Sequence, residues 1–384
     1  MTQATSFSKD HLAAIAAHFC SLGSILTIDV LGSGNVNDTF LVTLDGTEQF
    51  KSFVLQRLNN HVFDRPDLVM NNMLTLVNHV ESKLASVPFE VRGRRWEMPK
   101  LLPTVGLDAH WIEENGSFWR SISHIDSATS AEVIDDHNHA IEVGYALGRF
   151  HYLISDLSND KLSDTLEDFH VTPAYLLQYD LAVNTFNKSV GQSFKKDRRL
   201  DSALSFVDTH RGGVDVLELA LSRGELKKRP IHGDPKINNV MIDDISRQAV
   251  GLIDLDTVKP GLVHYDIGDC LRSCCNQAGE ETTDLSQVYF DLSLCEAILE
   301  GYLSEARCFL SKTDFEYIPE CIKLIPFELG LRFLTDHLNG NIYFKTNRPE
   351  QNLDRAEVQF RLTQSIESQW TSIVDLIDRL RRKR

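Results

Sequence analysis

The stretch that decides the fold is Ile231-His232-Gly233-Asp234-Pro235-Lys236-Ile237-Asn238-Asn239. It places an Asp and an Asn five positions apart in a segment rich in turn-forming residues. Two short apolar runs follow, 240–242 and 249–253, and the acidic, polar residues between them predict a small hairpin. Asp254 comes directly after the second run. The order of loop, hairpin and strand-end carboxylate indicates a chemically functional loop.

These residue types match the requirements of phosphoryl transfer. That reaction needs a carboxylate to orient the attacking hydroxyl and accept its proton, oxygen ligands for a metal, and a cation at the moving group. Asp234 would be the base, and Lys236 would meet the γ-phosphate of ATP. Asn239 and Asp254 would be the Mg²⁺ ligands, because Mg²⁺ prefers hard oxygen donors. Each part is common in ordinary turns, so the prediction depends on their order.

A second informative stretch, Gly32-Ser33-Gly34-Asn35-Val36-Asn37-Asp38-Thr39, lies between two predicted strands, 25–31 and 39–44. It lacks the third glycine of a dinucleotide-binding fingerprint, and a strand rather than a helix follows it. Strand, glycine loop, strand is the arrangement that covers ATP phosphates in kinases. A plain glycine-rich turn fits the stretch equally well by itself, and its place upstream of the 231–239 loop favours a nucleotide site. The candidate nucleotide-binding residues are Gly32, Gly34, Asn37, Thr39, Gln56 and His124.

The pattern of hydrophobic residues predicts an α+β fold with two lobes. The first part reads as an antiparallel sheet with an inserted helix at 66–84, and with hairpin cues at Asp45-Gly46 and Asn115-Gly116. An amphipathic helix precedes it, with Ser8 as N-cap. After residue 124 helical spacing dominates, beginning with 131–155 and ending in one long helix through 358–377. We expect an N-terminal nucleotide-binding lobe, 1–124, and a catalytic and acceptor-binding lobe, 125–384.

Composition excludes several classes of function. The chain has 384 residues and a formal net charge of −16, which argues against a nucleic-acid or anionic-membrane surface. Seven cysteines without a C-x-x-C pair indicate reduced thiols. Residues 11–28 lack charged side chains, but their polar residues and the absence of a preceding basic region argue against a membrane span or signal peptide. We expect a cytoplasmic monomer or homodimer with a small-molecule acceptor.

The 232–239 loop, Asp254 and the upstream glycine loop resemble the aminoglycoside phosphotransferase and choline kinase superfamily. Between about residues 25 and 368, further segments resemble its N-acetylhexosamine 1-kinase branch: Val54-Leu55-Gln56-Arg57-Leu58-Asn59, Trp119-Arg120, Phe169-His170, Tyr265-Asp266-Ile267-Gly268-Asp269, Arg332-Phe333-Leu334-Thr335-Asp336, Tyr343-Phe344-Lys345 and Asn352-Leu353-Asp354-Arg355. The resemblance implies a protein-kinase-like fold and ATP-dependent phosphorylation of the anomeric 1-hydroxyl of an N-acetylhexosamine. It also implies an acceptor site near Arg332 and Tyr343. A surface ion pair and a core tyrosine are the alternatives for these two residues.

One departure concerns the cation that kinases carry on their third strand. Gln56 stands in place of the usual Lys, and Asn72 in place of the helix Glu that pairs with it. A neutral amide pair could replace the ion pair, Arg57 could supply the cation, or Lys236 could compensate. Pro235 also departs from the usual residue after the base and removes a backbone donor.

Two other functions stay open from sequence. One is a kinase of a different small hydroxyl compound, such as choline, homoserine or an aminoglycoside, because Glu328, Asp336, Glu350 and Asp354 could favour a cationic acceptor. The other is a nucleotide-binding pseudokinase, suggested by the Gln56 and Asn72 replacements. Structural roles are expected for the remaining conspicuous residues: Asp266, Asp269, His151, Cys270, Cys274, Cys275 and the basic tail 379–384.

Overall fold

The computed structural model describes residues 7–19, 24–32, 36–45, 51–60, 62–87, 93–106, 109–190 and 197–383. The chain divides into two compact units. The first comprises 1–127 together with the short segment 161–165, and the second comprises 128–160 and 166–384. The boundary predicted after residue 124 falls close to this division, whereas the return of 161–165 to the first unit has no signal in the sequence.

The first unit contains a five-stranded antiparallel sheet. Its strands are β1 (Ser24–Val30), β2 (Asp38–Asp45), β3 (Ser52–Leu58), β4 (Trp111–Glu114) and β5 (Ser117–Ser123), in the order β1-β2-β3-β5-β4. Asn115 and Gly116 both have positive φ, 51° and 72°, which is the backbone that a two-residue hairpin turn requires. That hairpin is confirmed, and the one predicted at Asp45-Gly46 lies partly outside the described residues.

Two helices accompany this sheet, α1 (Lys9–Ala17) and α2 (Pro66–Ala85). Ser8 caps α1 as predicted, since its side chain accepts a hydrogen bond from the N–H of His11. The α1 side of the sheet forms an apolar core that includes Leu55 of β3 and Trp119 of β5. Because successive side chains of a strand point to opposite faces, the residues that follow them, Gln56 and Arg120, lie on the other face.

The second unit is mainly helical. Its helices are α3 (His137–Ile154), α4 (Thr172–Val190), α5 (Arg198–His210), α6 (Val216–Ser222), α7 (Val263–Cys274), α8 (Leu292–Ala306), α9 (Lys312–Leu338), α10 (Gln351–Ser368) and α11 (Trp370–Arg382). Its strands are β6 (Ala128–Thr129), β7 (Arg229–Ile231), β8 (Val240–Asp243), β9 (Ala249–Leu252) and β10 (Lys259–Gly261). The strands β8 and β9 pair as the predicted hairpin, β6 adds to β8, and β10 pairs with β7. The predicted α+β fold class is confirmed.

Two predicted helices differ from the structure. The helix expected at 131–155 begins only at His137, because Asp136 caps it by accepting from the N–H of His139. The single C-terminal helix is instead two, α10 and α11, separated at Gln369. The Gln369 side chain donates to the carbonyl of Phe290 at 2.8 Å, which holds the break between the two helices against the segment before α8.

Close helix packing and ion pairs complete the second unit. A Cβ on Gly148 of α3 would lie 2.3 Å from the carbonyl oxygen of Tyr302 on α8, so only glycine permits this approach. The basic end of α11 is docked rather than free, since Arg379 pairs with Glu296 at 2.7 Å and Lys383 with Glu300 at 2.5 Å. Within the described residues, no helix is long and apolar enough to cross a membrane.

Candidate active site

The predicted catalytic loop follows β7 and leads through a short 3-10 turn, Ile237–Asn239, into β8. Nζ of Lys236 lies 2.7 Å from Oδ2 of Asp234, and both side chains are partly exposed. Although burial opposes the charge, the carboxylates of Asp234 and Asp254 raise the pKa of Lys236 above its usual value. A carboxylate and a permanently charged ammonium are therefore held side by side at the loop surface.

His232 joins this loop to the strand end that carries Asp254. Its Nε2 lies 3.0 Å from the carbonyl oxygen of Ile253, and its Nδ1 accepts the N–H of Asp234 at 3.3 Å. One nitrogen must donate and the other accept, so the ring is a neutral imidazole with its proton on Nε2. Burial also lowers the pKa of His232. His232 therefore has a structural role: it connects the loop at Asp234 to the strand end that precedes Asp254.

Asp266 on α7 braces the same loop from behind. Its two oxygens accept the N–H groups of His232 and Gly233 at 2.7 and 2.8 Å. Oδ2 also lies 2.8 Å from Nε2 of His151, whose Nδ1 is 3.0 Å from the hydroxyl of Tyr302. Burial raises the pKa of Asp266, but these hydrogen bonds outweigh it and hold that pKa below the ordinary value. The expectations that Asp266 braces the loop and that His151 is structural agree with this geometry.

Gly233 has a backbone that other residues rarely adopt. Its φ is 89°, and an added Cβ would lie 2.7 Å from the carbonyl oxygen of Thr257. The hydroxyl of Thr257 donates to the carbonyl of His232 at 2.7 Å. The loop before Asp234 is therefore packed against the turn after Asp254.

A second brace, formed by His170 and Glu328, was not recognised from the sequence. Nε2 of His170 lies 2.7 Å from the carbonyl oxygen of Gly233, and Nδ1 lies 3.0 Å from Oε1 of Glu328 on α9. Both partners accept, so both ring nitrogens donate and the ring is an imidazolium. Burial opposes this charge, but Glu328 raises the pKa of His170 above its usual value. The backbone of His170 also has positive φ, 66°, as is common where a site stores strain.

Asn239 and Asp254 are brought together by the backbone. The N–H of Ile253 donates to the carbonyl of Asn239 at 2.9 Å, and Asp254 is the next residue. Nδ2 of Asn239 donates to the carbonyl of Asp234 at 2.7 Å, which leaves the amide oxygen as the group able to bind a cation. Asp254 adopts left-handed backbone angles, φ 63° and ψ 58°. This pair of hard oxygen donors fits Mg²⁺.

No cluster of three or more His, Cys, Asp or Glu able to hold a metal occurs among the described residues. Two oxygen ligands suit an ion that arrives with a nucleotide, because Mg²⁺ commonly keeps phosphate and water oxygens in its coordination shell.

Arg332 on α9 is surrounded by aromatic rings. Its guanidinium carbon lies 5.1 Å from the ring centre of Phe169, 4.9 Å from that of Tyr175 and 5.6 Å from that of Phe344. Burial opposes its charge, but neighbouring groups, Tyr175 first, raise the pKa of Arg332. The surface ion pair considered as an alternative is not formed with any described residue. Tyr343 is 50% exposed, so it is not a core tyrosine.

The carboxylates that could have favoured a cationic acceptor have partners in the protein. Glu328 binds His170, and Asp354 pairs with Arg199 and Arg348. Asp336 accepts the N–H groups of three successive residues, 342–344, at 2.8 to 3.0 Å. Asp336 thereby shapes the loop that carries Tyr343. Three of the four predicted carboxylates are already neutralised or hydrogen-bonded.

In the first unit, Gln56 is held by a buried cation. Nε and Nη2 of Arg120 donate to Oε1 of Gln56 at 3.0 and 2.7 Å, and Arg120 is only 1% exposed. Nε2 of Gln56 in turn donates to Oγ1 of Thr39 on β2 at 3.1 Å. The amide is therefore fixed with its oxygen toward Arg120 and its N–H₂ group toward Thr39.

Two of the three replacements considered for the missing strand Lys involve Asn72 and Arg57, and both residues have partners in the structure. Asn72 bonds the backbone of Ser163 in both directions at 2.8 Å, so its amide holds that segment. Arg57 forms an ion pair with Asp38 on the α1 side of the sheet, the face opposite to Gln56. Strand alternation accounts for that direction, because Arg57 follows Gln56 directly.

The remaining nucleotide-site candidates also belong to the first unit. Gly32 has φ 73° with open space around its Cβ position. Oδ1 of Asn37 accepts the N–H of Asn59 at 3.1 Å. Nδ1 of His124 lies 2.9 Å from Oδ1 of Asp126 and 3.0 Å from Oγ of Ser52. Gly34 lies outside the described residues.

The sequence gives only weak indications of the functional residues that it did not predict. Arg120 lies on the same face of β5 as Phe118 and Ile122, and a lone Arg at an inward strand position is unusual enough to suggest a buried polar partner. His170 and Glu328 lie 158 residues apart, and no local pattern could pair them.

Comparison with protein-family models matches residues 27–296 to the phosphotransferase enzyme family. An aminoglycoside phosphotransferase from Alicyclobacillus acidocaldarius has a similar structure, with a TM-score of 0.61 and 15% identity over 95% of this chain and 96% of that chain. A choline kinase from Cryptosporidium parvum gives 0.54 and 14% over 97% and 96%. A spectinomycin phosphotransferase in complex with ADP and spectinomycin gives 0.53 and 11% over 91% and 94%. At these identities the likeness shows a shared fold.

Proposed function

We propose that this chain, which belongs to the phosphotransferase enzyme family, transfers the γ-phosphoryl group of ATP to a hydroxyl group of a small molecule. The observation that carries the proposal is the loop that holds Asp234 beside Lys236. Two buried groups, Asp266 and His170, bind its main chain. Such fixed positioning is what phosphoryl transfer requires of a protein, because little other covalent chemistry is involved.

Asp234 would orient the acceptor hydroxyl and accept its proton. As the acceptor oxygen bonds to the γ-phosphorus, the bond between that phosphorus and the bridging oxygen of ADP breaks, and the hydroxyl proton passes to Asp234. Lys236 would donate hydrogen bonds to the transferred group. Its raised pKa keeps it charged throughout the neutral range, so it can stabilise negative charge at that group.

Asn239 and Asp254 would bind Mg²⁺ through their side-chain oxygens. Bound there with the nucleotide, Mg²⁺ would neutralise charge on the phosphate oxygens. The amide of Asn239 is oriented for this role by its bond to the carbonyl of Asp234.

Nucleotide binding by the first unit is also a proposal. The N–H₂ group of Gln56, fixed by Arg120, would donate to a phosphate oxygen together with the hydroxyl of Thr39. Gly32, Gly34 and Asn37 would form the loop over the phosphates, and His124 would contact the nucleotide from the end of β5. The similar fold of a phosphotransferase that holds ADP supports ATP as co-substrate.

The acceptor that we propose is an N-acetylhexosamine or related sugar, phosphorylated at its anomeric hydroxyl. Arg332 supports it, because its guanidinium is caged by rings and offers N–H donors to hydroxyl or amide oxygens. Tyr343 is exposed and would supply an aromatic face to a sugar ring. A cationic acceptor such as choline is less well supported, because Arg332 repels it and most nearby carboxylates already have partners.

An acceptor screen tests this function. Purified protein is mixed with ATP and Mg²⁺, and ADP release is measured with N-acetylglucosamine, N-acetylgalactosamine, choline, ethanolamine, homoserine and kanamycin as acceptors. We expect turnover with at least one of the two sugars. Turnover with choline or kanamycin and neither sugar would reject the proposed acceptor. ATP binding without turnover of any compound would favour the pseudokinase.

A further inference from the structure

One face of α7 carries three polar residues, and two of them contact the main chain of the loop that contains Asp234. Asp266, Asp269 and Ser273 stand at positions i, i+3 and i+7 and therefore share that face. Asp266 binds the N–H groups of His232 and Gly233, and Oγ of Ser273 accepts the N–H of Ile237 at 3.2 Å. The two ends of the face thus hold the two ends of the loop. Asp269 lies between them on the same face of α7.

Unlike Asp266 and Ser273, Asp269 accepts no hydrogen bond from a main-chain N–H of residues 232–239 in the described structure. Oδ1 accepts Nε of Arg272 at 2.8 Å. Oδ2 is buried and has no hydrogen-bond partner among the described residues, and the side chain is only 8% exposed. A buried carboxylate oxygen without a partner is costly, and such atoms in native proteins usually bind a ligand or an ordered water. The expectation that Asp269 merely braces the loop leaves this oxygen unexplained.

Asp269 also interacts electrostatically with three cations of the site. Burial opposes the charges of Lys236, His170 and Arg332, but nearby groups raise the pKa of each, chiefly Asp234 for Lys236, Glu328 for His170 and Tyr175 for Arg332, and Asp269 adds to all three shifts. Asp269 is therefore near enough to Lys236, His170 and Arg332 to interact with the charge of each. These three groups lie on different elements, and Asp269 is common to them.

We propose that Oδ2 of Asp269 accepts a hydrogen bond from a hydroxyl of the acceptor, next to the hydroxyl that Asp234 orients. This inference rests on the proposed function and narrows it. Arg332 can only donate hydrogen bonds, and Asp269 in its ionised form can only accept them. Together they suit a neutral compound with at least two hydroxyl groups, each able to donate and accept. An ammonium acceptor fits poorly among Lys236, Arg332 and the imidazolium of His170.

The test is the Asp269→Asn variant with N-acetylglucosamine and N-acetylgalactosamine as acceptors. Asn keeps an oxygen for Arg272 and replaces Oδ2 by a donor. Because a hydrogen bond to a charged group is lost, we expect KM for the sugar to rise about 10–100-fold, with KM for ATP within about twofold. Glu280→Gln is the matched control, since Glu280 is the other carboxylate bound to Arg272, at 3.3 Å. We expect it to change neither KM by more than about threefold.

Deoxy sugars locate the hydroxyl that Asp269 binds. The analogue without that hydroxyl should bind the wild type weakly. Its affinity should fall little further in Asp269→Asn, so the effects of removing the hydroxyl and of substituting Asp269 are not additive. Thermal unfolding of the variant checks that it is folded, and calorimetric titration of the sugar gives affinity without turnover.

The outcomes separate this inference from the function on which it rests. Normal KM and affinity for the sugar in folded Asp269→Asn would overturn the role of Asp269 but not the proposed sugar kinase activity. Oδ2 would then bind only a water. If wild type phosphorylates neither sugar, the proposed function fails and the inference fails with it. Equal rises in KM for sugar and ATP, or the same rise in Glu280→Gln, would show a general disturbance and also overturn it.

Discussion

The catalytic loop and the β3 residue Gln56 present two ways to fix a polar group with buried charge. In the loop, Asp266 and the imidazolium of His170 bind main-chain N–H and C=O groups. In the sheet, Arg120 binds the side-chain oxygen of Gln56. The contacts in the loop hold the main chain of His232 and Gly233, directly before Asp234, whereas the Arg120 contact fixes one side-chain amide. Damage to the first arrangement should therefore affect catalysis broadly, and damage to the second should affect one ligand.

The largest effect is expected at Asp234, which directly follows the main-chain groups bound by Asp266 and His170. Asp234→Asn removes the proton acceptor while keeping the shape of the side chain. We expect kcat to fall about 10²–10⁴-fold, the usual contribution of general-base catalysis, with a normal unfolding temperature. Steady-state ADP release measures it. Full activity in a folded variant would remove Asp234 from this role.

The next effect tests the main-chain brace. Asp266→Asn leaves a buried amide N–H₂ group facing the donors of His232 and Gly233. We expect kcat to fall about 100-fold through misplacement of the loop, and stability to fall by about 3 kcal/mol because a buried ionic network loses its charge. Chemical denaturation and kinetics measure the two quantities. A variant with lost stability and unchanged kcat would show that the brace serves folding alone.

A smaller and more selective effect is expected at Arg120. Arg120→Met substitutes an apolar side chain among Met70 and Met73, whose sulfur atoms already contact the guanidinium. Without Arg120 the amide of Gln56 is free to rotate, so we expect KM for ATP to rise about tenfold and KM for the acceptor to stay constant.

Arg57→Met is the matched control for Arg120→Met. It removes a cation from the same sheet but from a partly exposed pair with Asp38, and such pairs contribute about 0–1 kcal/mol. Equal effects of the two variants on KM for ATP would contradict the specific role of Arg120.

The smallest effect concerns pH. The folded-state pKa of His170 lies above its unfolded value, so its ionic bond stabilises the protein fully below about pH 6.5 and is lost as pH rises through the folded-state pKa. His170→Gln lacks this contribution. We expect the stability difference between wild type and variant to shrink by about 1 kcal/mol or more between pH 6 and pH 9. A pH-independent difference would indicate that the ring is neutral.

The same contrast explains which features the sequence could predict. The sheet, the β8–β9 hairpin and the cluster of Asp234, Asn239 and Asp254 follow from local patterns, because turn residues and strand ends are encoded within a few positions. The braces are not local: His170 reaches Glu328 across 158 residues and Arg120 reaches Gln56 across 64. The break at Gln369 likewise depends on a contact with Phe290, so helical spacing predicted one helix through it.

The central claim is that the loop directs the γ-phosphoryl group of ATP to a sugar hydroxyl. Phosphorus NMR of the products formed from ATP and N-acetylglucosamine or N-acetylgalactosamine tests it most directly, with wild type and Asp234→Asn compared. We predict a sugar 1-phosphate signal equal in amount to the ADP formed by wild type, and almost none from the variant. ADP with inorganic phosphate and no phosphorylated sugar, or equal product from both proteins, would contradict the claim.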